Sequence, residues 1–108
     1  MVIRKINIPK YRRPSAPGAV LRNLFLGQGG LGVTQGQLAD KLGISRQNFN
    51  AVLNGKRAVT VSMALRLERV LGVDAQTWMN LQLAVDMYDA QHSPEARRIA
   101  RLRPVRAA

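Results

Sequence analysis

Arg46, Gln47 and Asn50 fall at the start of an apolar-periodic segment and, with Ala51, on the side opposite its hydrophobic residues. Arginine suits a guanine edge, and glutamine or asparagine an adenine edge, because each side chain can make two parallel hydrogen bonds to one base. A helix entering the major groove contacts bases mainly through its N-terminal residues. The chemistry suggested is reading of double-stranded DNA. The same pattern also fits a helical hairpin whose polar face meets water.

The elements that must position these side chains lie between Val33 and Arg57. Thr34 and Gln37 form a capping-box pattern, the hydroxyl taking one orphan amide while the glutamine reaches back to another, and predict a helix start. Leu38, Ala39 and Leu42 supply its apolar stripe, and Gly43 a left-handed C-cap. Ile44 is the apolar residue of the turn and Ser45 a good N-cap. Phe49, Val52 and Leu53 then give the next helix its inward face. Asn54-Gly55 ends that helix and leaves Lys56 and Arg57 where they either meet a phosphate backbone beside the groove or sit in a solvated loop.

Charge favours a polyanionic partner: 17 Lys+Arg against 6 Asp+Glu give a formal +11 in 108 residues. The basicity is concentrated in the ends. Residues 1–13 carry Arg4, Lys5, Lys10, Arg12 and Arg13 without an acid, and residues 93–108 carry five arginines against Glu95. The segment between them is close to balanced.

Composition excludes several classes. There is no cysteine, so neither a disulfide framework nor a thiolate zinc site is available. His92 is the only histidine, near a chain end, and the six acids are scattered. Neither a metal site nor a nucleophile-base pair emerges, so no enzyme activity and no cofactor is expected. No stretch approaches the about 18 apolar residues of a membrane span, so a cytoplasmic protein without membrane contact is expected. The hydrophobic fraction of 46% suffices for one compact helical domain.

Residues 1–16 read as a basic N-terminal arm, with Ile6 and Ile8 hinting at an extended piece and prolines opposing helix. Residues 17–92 read as the domain. Pro17 opens a helix running to about Leu26, with Val20, Leu21, Leu24 and Phe25 inward. The glycine-rich GQGGLG at 27–32 is read as a connector, because no strand precedes it and no Lys-Ser/Thr follows. Thr60 or Ser62 caps a fourth helix to Leu71, burying Met63, Ala64, Leu67, Val70 and Leu71, with Gly72 closing it. Asp74 caps a fifth, from about Ala75 to Gln91, with two apolar stripes: Trp78, Leu81 and Val85, and Met79, Leu83 and Met87. One stripe suffices for a surface helix, so the second is assigned to a dimer or partner surface, unless the helix lies in a groove and buries both. Residues 93–108 form an arginine-rich tail that alone looks disordered, although EARRIARL could add a helical turn or two on a partner.

The order TQ-x-x-LA-x-x-LG-[apolar]-S, then NGKR at 54–57, resembles the Xre-type helix-turn-helix of phage repressors and bacterial antitoxins. Pro17-Gly18, SRQ at 45–47, MALRL at 63–67, LG at 71–72 and WMNLQ at 78–82 resemble its HigA/VapI branch, over about two thirds of the chain. The chain departs from that pattern at Ala16 and Ala19, where many relatives carry histidine and glutamate. It departs again at Ala51, where a polar residue is frequent, which narrows the reading surface. The resemblance implies an all-α, five-helix, lambda-repressor-like domain with flexible basic tails. It implies an antitoxin of a type II toxin-antitoxin system that represses its own operon and neutralises a co-encoded, HigB-like, mRNA-cleaving toxin. As a homodimer it would bind a palindromic operator with half-sites about one helical turn apart. Arg46, Gln47 and Asn50 would read bases, while Thr34, Gln35, Ser45, Asn48, Asn54, Lys56 and Arg57 would hold or position phosphates. Since the chain has no acidic run, toxin blocking would rest on shape rather than bulk charge. The alternatives are a stand-alone Xre-family repressor and an RNA- or ribosome-associated protein using the arginine tails.

Overall fold

The computed structural model describes residues 12–26 and 30–106. Among these, every regular element is helical. Helix α1 spans Pro17–Leu21 and continues as a π-helical turn over Arg22–Leu26. It is followed by α2 (Gln35–Leu42), α3 (Arg46–Leu53), α4 (Val61–Leu71), α5 (Ala75–Gln91) and α6 (Pro94–Ala100). The all-α architecture is as expected from the sequence, with α6 as a sixth helix. Ile6, Ile8 and the first part of the glycine-rich connector lie outside the described residues.

Local chemistry sets the boundaries of the central helices. Thr34 Oγ1 accepts from Gln37 N (3.1 Å) and Gln37 Oε1 accepts from Thr34 N (2.9 Å), so the capping box is complete. Gly43 stops α2 at φ 71°, a conformation that penalises a Cβ. Ser45 Oγ accepts from Asn48 N (3.0 Å) to open α3, and Thr60 rather than Ser62 opens α4, accepting from Met63 N (3.2 Å). Helix α5 is different. The Asp74 side chain caps nothing, and Glu68 Oε2 from α4 accepts from Ala75 N at 2.8 Å instead. A carboxylate brought in by tertiary packing takes the amide that the local aspartate was expected to satisfy.

A single core joins α1 to α5 through Leu21, Leu38, Ala39, Leu42, Phe49, Val52, Leu53, Val59, Met63, Ala64, Leu67 and Trp78. Burying Phe49 alone contributes about 1.5–3 kcal/mol relative to leaving it in water. Phe25 tilts onto Trp78 with ring centroids 6.1 Å apart. Leu24, expected inward, is 64% exposed. The π-turn explains this: its i→i+5 bonding lowers the rotation per residue, so the phase set by Val20 and Leu21 is lost by Leu24. Val70 and Leu71, expected buried, are only partly so, and Met79 packs against the core beside Leu81. The second stripe of α5 is thereby reduced to Leu83 and Met87, 43% and 39% exposed.

Three contacts lock the frame. Gly18 lies on the end of α3, so close that a Cβ there would sit 2.4 Å from the Val52 carbonyl oxygen and 2.6 Å from that of Leu53. Arg66 of α4 donates through Nη1 to the Leu42 carbonyl (2.8 Å), satisfying a helix-end acceptor beside the α2–α3 turn. Arg13 grips Asp89 of α5 with two hydrogen bonds of 2.9 Å, which ties residue 13 of the basic arm to the domain. The segment after Ser93, expected to be disordered when alone, forms α6. Pro94 stands in its first turn, and Ala96, Ile99 and Ala100 share an apolar groove with Met87 and Ala90 of α5.

Candidate nucleic-acid interface

Helix α3 divides its residues between two tasks. Phe49, Val52 and Leu53 are buried, which turns Arg46, Gln47, Asn48 and Asn50 to solvent and leaves Ala51 half-buried. Among the described residues the side chains of Gln47 and Asn48 accept and donate no hydrogen bond within the protein, so their full capacity faces outward.

Arg46 is exposed but engaged. Its Nη2 donates to Asp40 Oδ2 at 3.0 Å, and the guanidinium lies over Gly36, where a Cβ would come within 2.9 Å of Cζ. The hydrogen bond to Asp40, with the attraction of the carboxylate, raises the Arg46 pKa above its ordinary value. The side chain expected to point at base edges is stowed against α2 in the free protein. The Arg46 side chain thus reaches from the first turn of α3 back to Gly36 in the first turn of α2. The Thr34 and Ser45 hydroxyls accept backbone amides as caps and keep their own protons to donate.

At the other end of α3, Asn54 Nδ2 donates to Asn50 Oδ1 (2.9 Å), and Arg22 Nη2 donates to Asn54 Oδ1 (2.8 Å). Gly55 turns the chain at φ 72°, and the amides of Lys56 and Arg57 both donate to the Ala51 carbonyl, at 2.9 and 3.2 Å. The backbone of both residues is therefore held against the C-terminal end of α3, and both side chains are exposed. Arg22, Asp40 and Arg66 carry no signal at the level of sequence. Their partners lie 32, 6 and 24 positions away, and only the packed helices bring them together.

Leu83 and Met87 lie on α5, and Met87 joins the groove shared with α6. No group of three or more His, Cys, Asp or Glu residues is placed to hold a metal ion, among the described residues. No described helix is long and apolar enough to cross a membrane.

The Helix-turn-helix family (HTH_3) matches residues 30–78, from before α2 into α5. The chain is 33% identical to antitoxin HigA-1 of Vibrio cholerae over 81 residues, 75% of this chain and 74% of that protein. Its fold superposes on Pseudomonas aeruginosa antitoxin HigA, solved with the higBA promoter, at a TM-score of 0.77 and 30% identity, covering 87% of this chain and all of that one. Antitoxin GraA in complex with its operator gives a TM-score of 0.76 at 31% identity, covering 94% of this chain and all of that one.

Proposed function

From the premise that the chain belongs to the HigA-type antitoxins of the helix-turn-helix family, we propose that it represses its own operon by sequence-specific DNA binding and neutralises a co-encoded, mRNA-cleaving, HigB-like toxin. The observation that carries the DNA part is the division of α3, whose large apolar residues Phe49, Val52 and Leu53 are all core, while the exposed side chains at its start, Arg46 excepted, hydrogen-bond to nothing among the described residues. The relatives solved with a promoter or an operator support the same assignment.

The roles are as follows. Gln47 and Asn50 read base edges, and Arg46 joins them once it leaves Asp40 for guanine, whose N7 and O6 match its fork. Thr34 and Gln35 hold phosphates at the start of α2, and Ser45 and Asn48 at the start of α3. Asn54, Lys56 and Arg57 hold phosphates at the far end. The protein acts as a homodimer through the Leu83 and Met87 side of α5, placing two α3 helices in successive major grooves of a palindrome. Residues 17–92 form the DNA-binding and pairing unit, residues 1–16 an arm and residues 93–108 a basic extension.

The test is to express the neighbouring small reading frame with and without this protein, and to measure binding of the protein to its own promoter fragment. Growth arrest relieved by co-expression, with nanomolar promoter binding, is the expected result. Promoter binding without arrest would make the protein a stand-alone repressor. Preference for RNA over the promoter duplex would reject the DNA reading.

A further inference from the structure

The ladder Arg22–Asn54–Asn50 fixes more than the position of three side chains. An asparagine amide can turn either its oxygen or its NH2 group toward a neighbour, and two asparagines in contact can choose either polarity. Arginine cannot, because the guanidinium carries donors alone. With Arg22 Nη2 2.8 Å from Asn54, the Asn54 oxygen must face it, so the Asn54 NH2 must face Asn50, 2.9 Å away, and Asn50 must answer with its oxygen. Arg22 follows directly on α1, which packs on the end of α3 through Gly18.

We propose that Arg22 is a positioning residue for sequence recognition: through Asn54 it sets the polarity of Asn50, which meets the groove with two free N–H groups and an oxygen already engaged. This deepens the DNA-binding reading and rests on it. The edge matched is one of acceptors, guanine N7 and O6 foremost, rather than the donor-plus-acceptor edge of adenine that an unconstrained asparagine favours. The charged first donor strengthens the hydrogen bond that holds the ladder.

A pool of promoter duplexes with randomised half-sites tests this. Asn50→Ala identifies the position that Asn50 reads, as the one whose preference vanishes. The wild type should select guanine there by about fivefold over adenine, the low end for a specific base contact. Arg22→Lys, which also offers only donors, should keep that preference. Arg22→Glu offers only acceptors, so it should flip Asn54, then Asn50, and move the preference toward the bases with an amine donor in the major groove, adenine and cytosine, whatever it does to overall affinity. If Arg22→Glu weakens all duplexes alike and leaves the choice at that position unchanged, Arg22 is a phosphate contact and the proposal fails.

The free protein supplies a second readout. In the ladder the Asn54 side-chain NH2 is a donor and that of Asn50 is free, so Arg22→Glu should bring the Asn50 NH2 into a hydrogen bond, while the Asn54 NH2 stays bonded but to a carboxylate, and both side-chain amide signals should shift in a nitrogen-15 NMR spectrum. Unmoved amide signals would overturn the ladder even if no promoter duplex bound. Absence of promoter binding by the wild type, with the amide shifts observed, would instead reject the DNA-binding reading.

Discussion

Gly18 and Gly36 occupy the same second position of α1 and α2, so replacing each with alanine changes intrinsic helix preference equally, by about 0.5–1 kcal/mol in favour of folding. Their surroundings differ. At Gly18 the new Cβ would lie 2.4, 2.6 and 2.8 Å from Val52 O, Leu53 O and Leu53 C, all backbone of α3 that is itself wedged into the core. A Cβ needs close to 3.4 Å, so α1 must back away by nearly 1 Å, and such overpacking costs about 1–3 kcal/mol. The steric effect outweighs the preference and leaves Gly18→Ala destabilised by about 1–2 kcal/mol. At about 4–8 °C per kcal/mol for a domain of this size, Tm falls by about 5–15 °C. At Gly36 the atoms met are the far end of Arg46, a flexible and exposed side chain that can swing aside. Gly36→Ala should leave Tm unchanged or slightly raised while freeing Arg46 from Asp40. Thermal unfolding followed by far-UV circular dichroism, both variants at equal protein concentration, reads the difference. Equal Tm shifts for the two variants would refute the steric reasoning.

The base-reading role of Arg46 predicts that Arg46→Ala weakens operator binding about ten- to a hundredfold and random duplex little, whereas Lys56→Ala weakens both alike; titration of the two duplexes at fixed salt checks it, and equal losses for Arg46→Ala would remove it from the reading set. The Arg13–Asp89 pair predicts a pH effect. The hydrogen bond from Arg13 holds the Asp89 carboxyl below its ordinary value, so its contribution is complete above the unfolded pKa of about 3.9 and disappears as pH falls through the lower folded value. The Tm gap between wild type and Asp89→Asn should therefore be present at neutral pH and close in acid below about pH 3.9, and a gap constant with pH would rule out the ion pair as its source.

How much could be read in advance followed the distance over which each feature is determined. The ends of α2 and α3 were legible because Thr34 with Gln37, Ser45 with Asn48, and Gly43 settle them within a few residues. The inward faces of α3 and α4 were legible from period alone, down to Phe49, Val52, Met63 and Leu67. The period misled at Leu24, because a π-turn leaves no mark in residue pattern, and at Met79, because apolar spacing does not say which neighbour a helix will have. The cap of α5 by Glu68 depends on tertiary packing, as does the grip of Arg66 on Leu42. For the candidate site, the exposure of Arg46, Gln47 and Asn50 followed from the period, whereas Ala51, read as outward with them, is half-buried because it lies beside Val52 at the edge of the inward face. The stowing of Arg46 did not, since Asp40 stands on another helix and Gly36 works only by what it lacks.

The division of labour along α3 bears on how such proteins diverge. Its fold depends on Ser45 as cap and on Phe49, Val52 and Leu53 as core, while the side chains of Gln47 and Asn48 are exposed and hydrogen-bond to nothing among the described residues. Exchanges at exposed positions of that kind usually alter stability by less than about 0.5 kcal/mol. Gene duplicates can therefore drift in operator preference at positions 47 and 48 without nearing the threshold at which the fold is lost. Position 50 is less free, because a change there also releases the side-chain NH2 of Asn54, which Arg22 holds through its oxygen, so new specificities should arise first at the N-terminal end of the helix.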